Sequence, residues 1–188
     1  MILIIFLINI VNIVRLMEKN KYIVTDSHVY FHGSFLSNWY PCPIEYEGKS
    51  FHCSEQLYMW FKAKFFRDEE TADKILKCTH AREAKDLGRQ VNGFDKVRWD
   101  ERSFGYMLYC VYLKFKQNFD LRDELLKLGE GRKFVEGSPV DTIWGVGIDY
   151  RDMRIRDEKN WKGKNKLGQC LDYAYNELKD TKDRIELI

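Results

Sequence analysis

The sequence carries almost no excess charge of either sign. Its 188 residues hold 31 lysines and arginines against 29 aspartates and glutamates, a net charge of +2. That balance excludes the polybasic footprint of a protein that grips nucleic acid regardless of sequence, although a local basic patch stays open. Long apolar runs are missing too. The run from Met1 to Val14 is too short to span a bilayer comfortably. It has neither a positive n-region nor a small-residue cleavage site, so it does not read as a signal peptide. The five cysteines, Cys42, Cys53, Cys78, Cys110 and Cys170, are odd in number, and no pair has C-x-x-C spacing. They read as reduced thiols in a cytosolic protein rather than a disulfide framework. His32, His52 and Cys53 have no fourth ligand at the usual spacing, so no metal site is expected. Walker, G-x-S-x-G and H-E-x-x-H motifs are absent. Gly145-Val146-Gly147 lacks the third glycine and the following helix of a dinucleotide fingerprint, and no cofactor is expected.

What is present is an ordinary globular composition, 45% hydrophobic and 32% charged, with 15% aromatics. Rings at that density suit a cleft that stacks flat groups, and equally suit a plain core. The length fits one domain. No internal repeat, low-complexity tract or linker divides it. Residues 1–16 are an apolar leader unlike the rest; Met17 with the polar stretch after it reads as the natural start, the alternative being a genuine membrane-associated leader, and either way the stretch stands outside the fold. The domain is therefore expected over residues 22–180, without stable membrane association and in the cytoplasm.

One or two short strands are expected between Tyr22 and Phe31, and a hairpin over Ile44 to Phe51 turning at Glu47-Gly48. Pro41, Pro43 and Gly33 forbid a helix between them. That segment carries Phe35, Asn38, Trp39 and Tyr40. Asp68 is a candidate cap for a helix to Leu76 or Lys77, and Thr79 for one over Ala81 to Leu87. Asp95 heads the longest helix, about Val97 to Gln117, and Asp120 one from Leu121 to Leu128. Phe134-Val135 and Ile143 to Ile148 read as short strands, and Lys166 to Leu178 as the last helix.

The chain is organised around the stretch from Phe51 to Ala63. Ser54 is a natural N-cap, and Glu55 then sits in the first turn, where the helix dipole favours an ionised carboxylate. Glu55, Tyr58, Met59 and Lys62 follow the i, i+3, i+4, i+7 spacing and share one face. A carboxylate, a phenol and an ammonium on one face of a mostly apolar helix either line a wet cleft or are paired structural groups. Lys85, Gly88 and Arg89 share a face of another helix. They fit either a phosphate or a solvated surface with a cation on the dipole.

Several blocks then recur in a telling order. Ser37-Asn38-Trp39-Tyr40-Pro41 precedes Ser54-Glu55-Gln56-Leu57-Tyr58-Met59, with Lys62-Ala63 and Phe66. Ala84-Lys85-Asp86-Leu87-Gly88-Arg89 and Phe94-Asp95 come next, with Trp99, Arg102 and Met107. Lys114-Phe115-Lys116-Gln117-Asn118, Val135-Glu136-Gly137-Ser138-Pro139-Val140-Asp141 and Trp144-Gly145-Val146-Gly147 lead to Trp161-Lys162-Gly163-Lys164-Asn165-Lys166-Leu167-Gly168. In this order and spacing the chain resembles the NADAR superfamily, also known as the YbiA-like N-glycosidases, from about Val29 to Leu178.

The resemblance implies an α+β fold: a single compact, mostly helical domain with a small sheet of short strands. It implies hydrolysis of the N-glycosidic C–N bond of a ribose-phosphate-bearing substrate. One class of substrate is the reactive ribosylaminopyrimidine phosphates of riboflavin synthesis, removed as metabolite repair. Another is an ADP-ribose adduct, either on guanine bases of nucleic acid or derived from NAD, and a third reading is a non-catalytic ADP-ribose-binding module. By position, Glu55 matches the acidic residue proposed for catalysis. Trp99 and Trp144 match active-site tryptophans. Asn38, Tyr58, Lys62, Arg89, Asp141 and Asn165 match other motif positions expected around the same cleft. Ala81, Leu128 and Gly137 depart from the common pattern without touching the Glu55 or Trp144 blocks. In the chemistry so implied, Glu55 steadies a ribosyl cation or deprotonates water, the tryptophans stack, and Lys62 and Arg89 hold phosphate. Lys62 would lie about 10 Å from Glu55 along the helix, near the reach from a ribose carbon to its 5-phosphate.

Overall fold

The computed structural model describes residues 21–185, with side chains to residue 180. The apolar leader lies outside the described residues. Strand β1 (Tyr22–Val24) pairs antiparallel with β2 (His28–Phe31), the chain turning where the His28 N–H donates to Thr25 Oγ1 at 3.0 Å. β3 (Ile44–Tyr46) and β4 (Lys49–Phe51) form the expected hairpin. Glu47 (φ 48°) and Gly48 (φ 69°) both take the left-handed conformation that a tight two-residue turn needs. β5 (Lys133–Glu136) returns parallel to β2 with Phe31 opposite Glu136. The three-stranded sheet runs β1-β2-β5.

Six helices carry most of the described chain. They are α1 (Ser54–Phe65), α2 (Glu69–Leu76), α3 (Ala81–Gly88), α4 (Lys96–Gln117), α5 (Phe119–Gly129) and α6 (Lys166–Ile185). Every residue of α1 from Ser54 to Ala63 is buried, because α2, α3 and α4 all pack against it. A helix packed against three others keeps little solvent face on which to place polar groups. Its charged residues therefore sit among apolar ones, and Phe31, Phe51, Leu57, Met107, Phe115 and Phe134 form the fully buried core around them. Among the described residues no helix is long and apolar enough to cross a membrane.

Asp68 and Asp95 cap as expected, accepting from Thr71 N–H and Arg98 N–H at 3.1 Å each. Other helix starts differ from expectation. Helix α1 begins at Ser54 itself, with Cys53 as N-cap and Ser54 Oγ buried without a hydrogen bond. The Glu55 N–H instead donates to the Asn38 carbonyl at 3.0 Å, and Gln56 Oε1 accepts from His52 N–H at 2.8 Å. His80, not Thr79, precedes α3, and no side chain caps it. Asn118 replaces Asp120 at the head of α5, while its amide donates to the Pro43 carbonyl. Helix α3 also retains Gly88, where a side chain would overlap Met59 of α1.

Residues 143–148 are not a strand. Gly147 is left-handed (φ 72°), and this segment interlocks with residues 162–165 instead. Lys162 and Gly163 N–H groups both donate to the Val146 carbonyl, and Asn165 N–H donates to the Gly145 carbonyl at 3.2 Å. A methyl group on Gly163 would overlap the Gly145 carbonyl oxygen and lie 2.8 Å from Thr142 Cα. Both are backbone atoms and cannot swing away. Gly163→Ala is therefore expected to destabilise the fold by about 3 kcal/mol. Gly88→Ala meets only the flexible Met59 side chain, and about 1 kcal/mol is expected. Urea unfolding midpoints of the two variants check the order.

Candidate active site

A cleft of about 610 Å³ opens above α1. Glu55, Tyr58, Met59 and Lys62 all line it, which is the face set by their i, i+3, i+4, i+7 spacing. Trp99 of α4 and Trp144 of the interlocked loop flank Tyr58, with ring centroids 5.4 and 5.6 Å away. Asn38 and Trp39 descend from the proline-bounded loop, Arg82 and Lys85 reach in from α3, and Asp141 closes one side. The ends of β2 and β5 contribute His32, Glu136 and Ser138.

Glu55 is 5% exposed. Burial is the main cause that pushes its carboxyl up to about 7, with Lys85 opposing and Asp141 adding to the shift. The expectation of a fully ionised glutamate at the helix start is thus corrected, because desolvation outweighs the dipole at this position. The carboxyl is not sealed into an ion pair. Lys85 Nζ stands 4.0 Å away on a side chain that keeps 35% of its surface, and the Trp39 side chain also favours the ionised carboxyl.

Lys62 is buried, and its Nζ donates to the Gly88 carbonyl at 2.7 Å and lies 4.0 Å from the Phe94 ring centre. Among the described residues no carboxylate pairs with it. Burial lowers its pKa, and two of its three donors remain for an anion. Burial also pushes the Tyr58 phenol far up, so it stays protonated, within hydrogen-bonding reach of the Trp99 and Ser103 side chains.

Two residues expected in the cleft do not line it. Arg89 pairs with Asp86 at 2.9 Å on the outer face of α3 and acts on Glu55 only through space. Asn165 lies behind the wall. Its Oδ1 accepts from Glu136 N–H at 3.0 Å, and its amide donates to the Phe134 carbonyl at 2.9 Å. Asp141 does line the cleft, but one of its oxygens is taken by the Ile143 and Trp144 N–H groups at 2.9 and 2.8 Å. It sets the loop that holds Trp144.

Trp39, Arg82, Lys85, His32, Glu136 and Ser138 line the cleft but were not among the residues expected there, although Lys85 reads as a candidate phosphate contact and Trp39, Lys85, Glu136 and Ser138 stand in the motif blocks. Trp39 stood beside Asn38 in the first motif block and was legible there. A second, larger hollow of about 820 Å³ lies across Trp39 and shares Arg82 with the cleft. It contains neither Glu55 nor the tryptophan wall, so the acid and the aromatic rings meet in the smaller one. No group of three or more metal-ligating side chains occurs among the described residues.

The NADAR domain model matches residues 27–179. Protein irg-1 of Caenorhabditis elegans is 42% identical over 68% of this chain, which spans 61% of that protein's length. N-glycosidase R617 of Acanthamoeba polyphaga mimivirus is 36% identical over 78% of this chain and 94% of its own. Riboflavin biosynthesis protein VVA0006 of Vibrio vulnificus is 30% identical over 84% of this chain and 40% of its own. The solution structure of Escherichia coli YbiA superposes with a TM-score of 0.69 at 26% identity, over 86% of this chain and 90% of that one. The chain belongs to the NADAR family, whose members are broadly of glycosidase type or process NAD-derived metabolites.

Proposed function

We propose that this protein is an N-glycosidase that hydrolyses the C–N bond of a ribose-phosphate-bearing small molecule, with ribosylaminopyrimidine phosphates as the substrate class. The observation that carries the reading is the buried Glu55 carboxyl, raised to about 7 in a cleft that also holds an aromatic wall and the Lys62 ammonium. Departure of a base from ribose develops positive charge at the anomeric carbon and ring oxygen. A carboxylate held there stabilises that charge and takes a proton from the attacking water. A pKa close to neutrality suits proton transfer in both directions. Trp99, Trp144 and Tyr58 offer faces for the base, and Lys62 offers its free donors to the phosphate. The names of R617 and VVA0006 add support from the relatives.

The hollow across Trp39 favours one alternative, an ADP-ribose adduct long enough to occupy both spaces. The deciding experiment compares hydrolysis of ribosylaminopyrimidine phosphate with release of ADP-ribose from modified DNA, using Glu55→Gln as control. Turnover of the first and not the second supports the proposal. The reverse supports the alternative, and turnover of neither removes both. Lys62→Ala is expected to raise KM for a phosphorylated substrate about tenfold while changing kcat less. An unchanged KM would take Lys62 out of phosphate binding.

A further inference from the structure

His32, one residue past the end of β2, and Glu136, the last residue of β5, are 104 positions apart and meet in the cleft only because β2 and β5 pair in parallel with Phe31 beside Glu136. The His32 Nδ1 lies 2.7 Å from Glu136 Oε1. Glu136 is buried to 7% exposure, and its backbone N–H is fixed by Asn165, so the carboxyl is held in place. Its other oxygen, Oε2, is buried with no hydrogen-bond partner, so no structural contact among the described residues uses it. The imidazole keeps half of its surface, and His32 is the one histidine among the described residues that lines the cleft.

We propose that His32, oriented by Glu136, is the proton donor to the departing base. The inference rests on the N-glycosidase reading. When water attacks the anomeric carbon, the C–N electron pair passes to the base nitrogen. The new C–O bond forms from a water lone pair, and the proton from that water goes to Glu55. A base that is not already cationic leaves slowly unless its nitrogen receives a proton in the same step. Base and acid act on opposite faces of the sugar, and one carboxyl cannot occupy both. The imidazolium Nε2–H supplies the second proton, and solvent restores both groups before the next turnover.

The other candidates in the cleft are less suited. One Asp141 oxygen is already engaged by two backbone N–H groups, Lys62 donates to a carbonyl, and the Tyr58 phenol is too weak an acid. Around the dyad, Glu136 and Asp149 favour the charged imidazole, Lys21 opposes it, and Asp141 acts on Glu136. The hydrogen bond that Glu136 accepts from the imidazole is the largest of these and raises the His32 pKa. Glu136 is a positioning residue in this scheme.

The test compares two leaving groups on the same ribose 5-phosphate. An aminopyrimidine needs a proton to depart, whereas the nicotinamide of nicotinamide mononucleotide leaves as a neutral pyridine. His32→Asn keeps a donor toward Glu136 but no ionisable proton. It is expected to lower kcat about a hundredfold on the aminopyrimidine. The loss on the nicotinamide substrate should be at least tenfold smaller. Glu136→Gln should move the basic limb of kcat/KM to lower pH, because it removes the charge that holds the imidazole protonated. This second readout decides the matter if only the aminopyrimidine is cleaved.

Equal losses on both substrates, or an unmoved basic limb, overturn the role of His32 while leaving the N-glycosidase reading intact. Failure of the unaltered protein to cleave either substrate removes that reading and this inference together. Thermal midpoints of both variants separate a catalytic loss from misfolding.

Discussion

Glu55→Gln is expected to lower kcat about a thousandfold and, above neutral pH, to make the protein more stable. Both effects come from the same burial. A glutamine fits the site, but it can neither carry the charge that faces the ribosyl cation nor take a proton from water. The folded carboxyl titrates at about 7, against an ordinary value of 4.5. The folded chain therefore keeps the proton over a range in which the unfolded chain has lost it. Stability from this group is fully present below pH 4.5 and is lost as pH rises through 7. The loss across that window is on the order of 3 kcal/mol, at 1.36 kcal/mol for each unit of difference. The glutamine variant lacks this loss, so its thermal midpoint should exceed that of the unaltered protein at pH 8 and approach it at pH 4. For the same reason kcat/KM should climb with pH through about 7, where Glu55 becomes the base. A variant that loses activity but gains no stability at pH 8 would mean that the carboxyl is not paying a burial cost in the folded state.

The face of α1 was legible because a helix obeys a fixed period and the four residues lie within two turns. The hairpin at Glu47-Gly48 was legible because its turn needs two left-handed residues, and Gly48 supplies one at no steric cost. Motif blocks carried Trp99 and Trp144 to the cleft as well. His32 and Glu136 were not legible, since nothing local announces a contact across 104 residues of chain. Only the parallel pairing of β2 with β5 creates it. The acidity of Glu55 was misjudged for a related reason. The first-turn dipole is a local property, while the burial that outweighs it comes from α3, α4 and the 33–43 loop closing around the helix. Asn165 and Arg89 stand in the family pattern yet face away from the cleft. Asn165 ties the end of β5 to the head of α6, so a motif position can serve the wall rather than its surface.

That distinction leads to Lys114, in the block Lys114-Phe115-Lys116-Gln117-Asn118 near the end of α4. The side chain is 1% exposed, with no carboxylate within ion-pair distance among the described residues. Burial lowers its pKa to about 8, so it is still charged at neutral pH. Its ammonium donates to the carbonyls of Phe35 and Ser37, at 2.5 and 2.8 Å. Three and four residues further on, the chain keeps the same habit. Gln117 bonds the backbone of Glu45 in both directions, and Asn118 reaches the Pro43 carbonyl. A segment whose glycine and prolines deny it regular structure has its carbonyls satisfied by one helix end, and this segment presents Asn38 and Trp39 to the cleft. Lys114→Ala removes both charge-assisted bonds and leaves a void, so a loss of about 3 kcal/mol is expected. Lys114→Met fills the volume without donating, and removes the cost of holding a charge in the core. Its stability should fall by less, about 1 kcal/mol, while the two carbonyls lose their donor. If the ammonium serves to hold the loop over Glu55, the methionine variant should still raise KM and lower kcat together, since that loop brings Asn38 and Trp39 to the cleft. Full activity in a folded Lys114→Met protein would show that packing alone holds the loop, and that the buried charge matters to stability only.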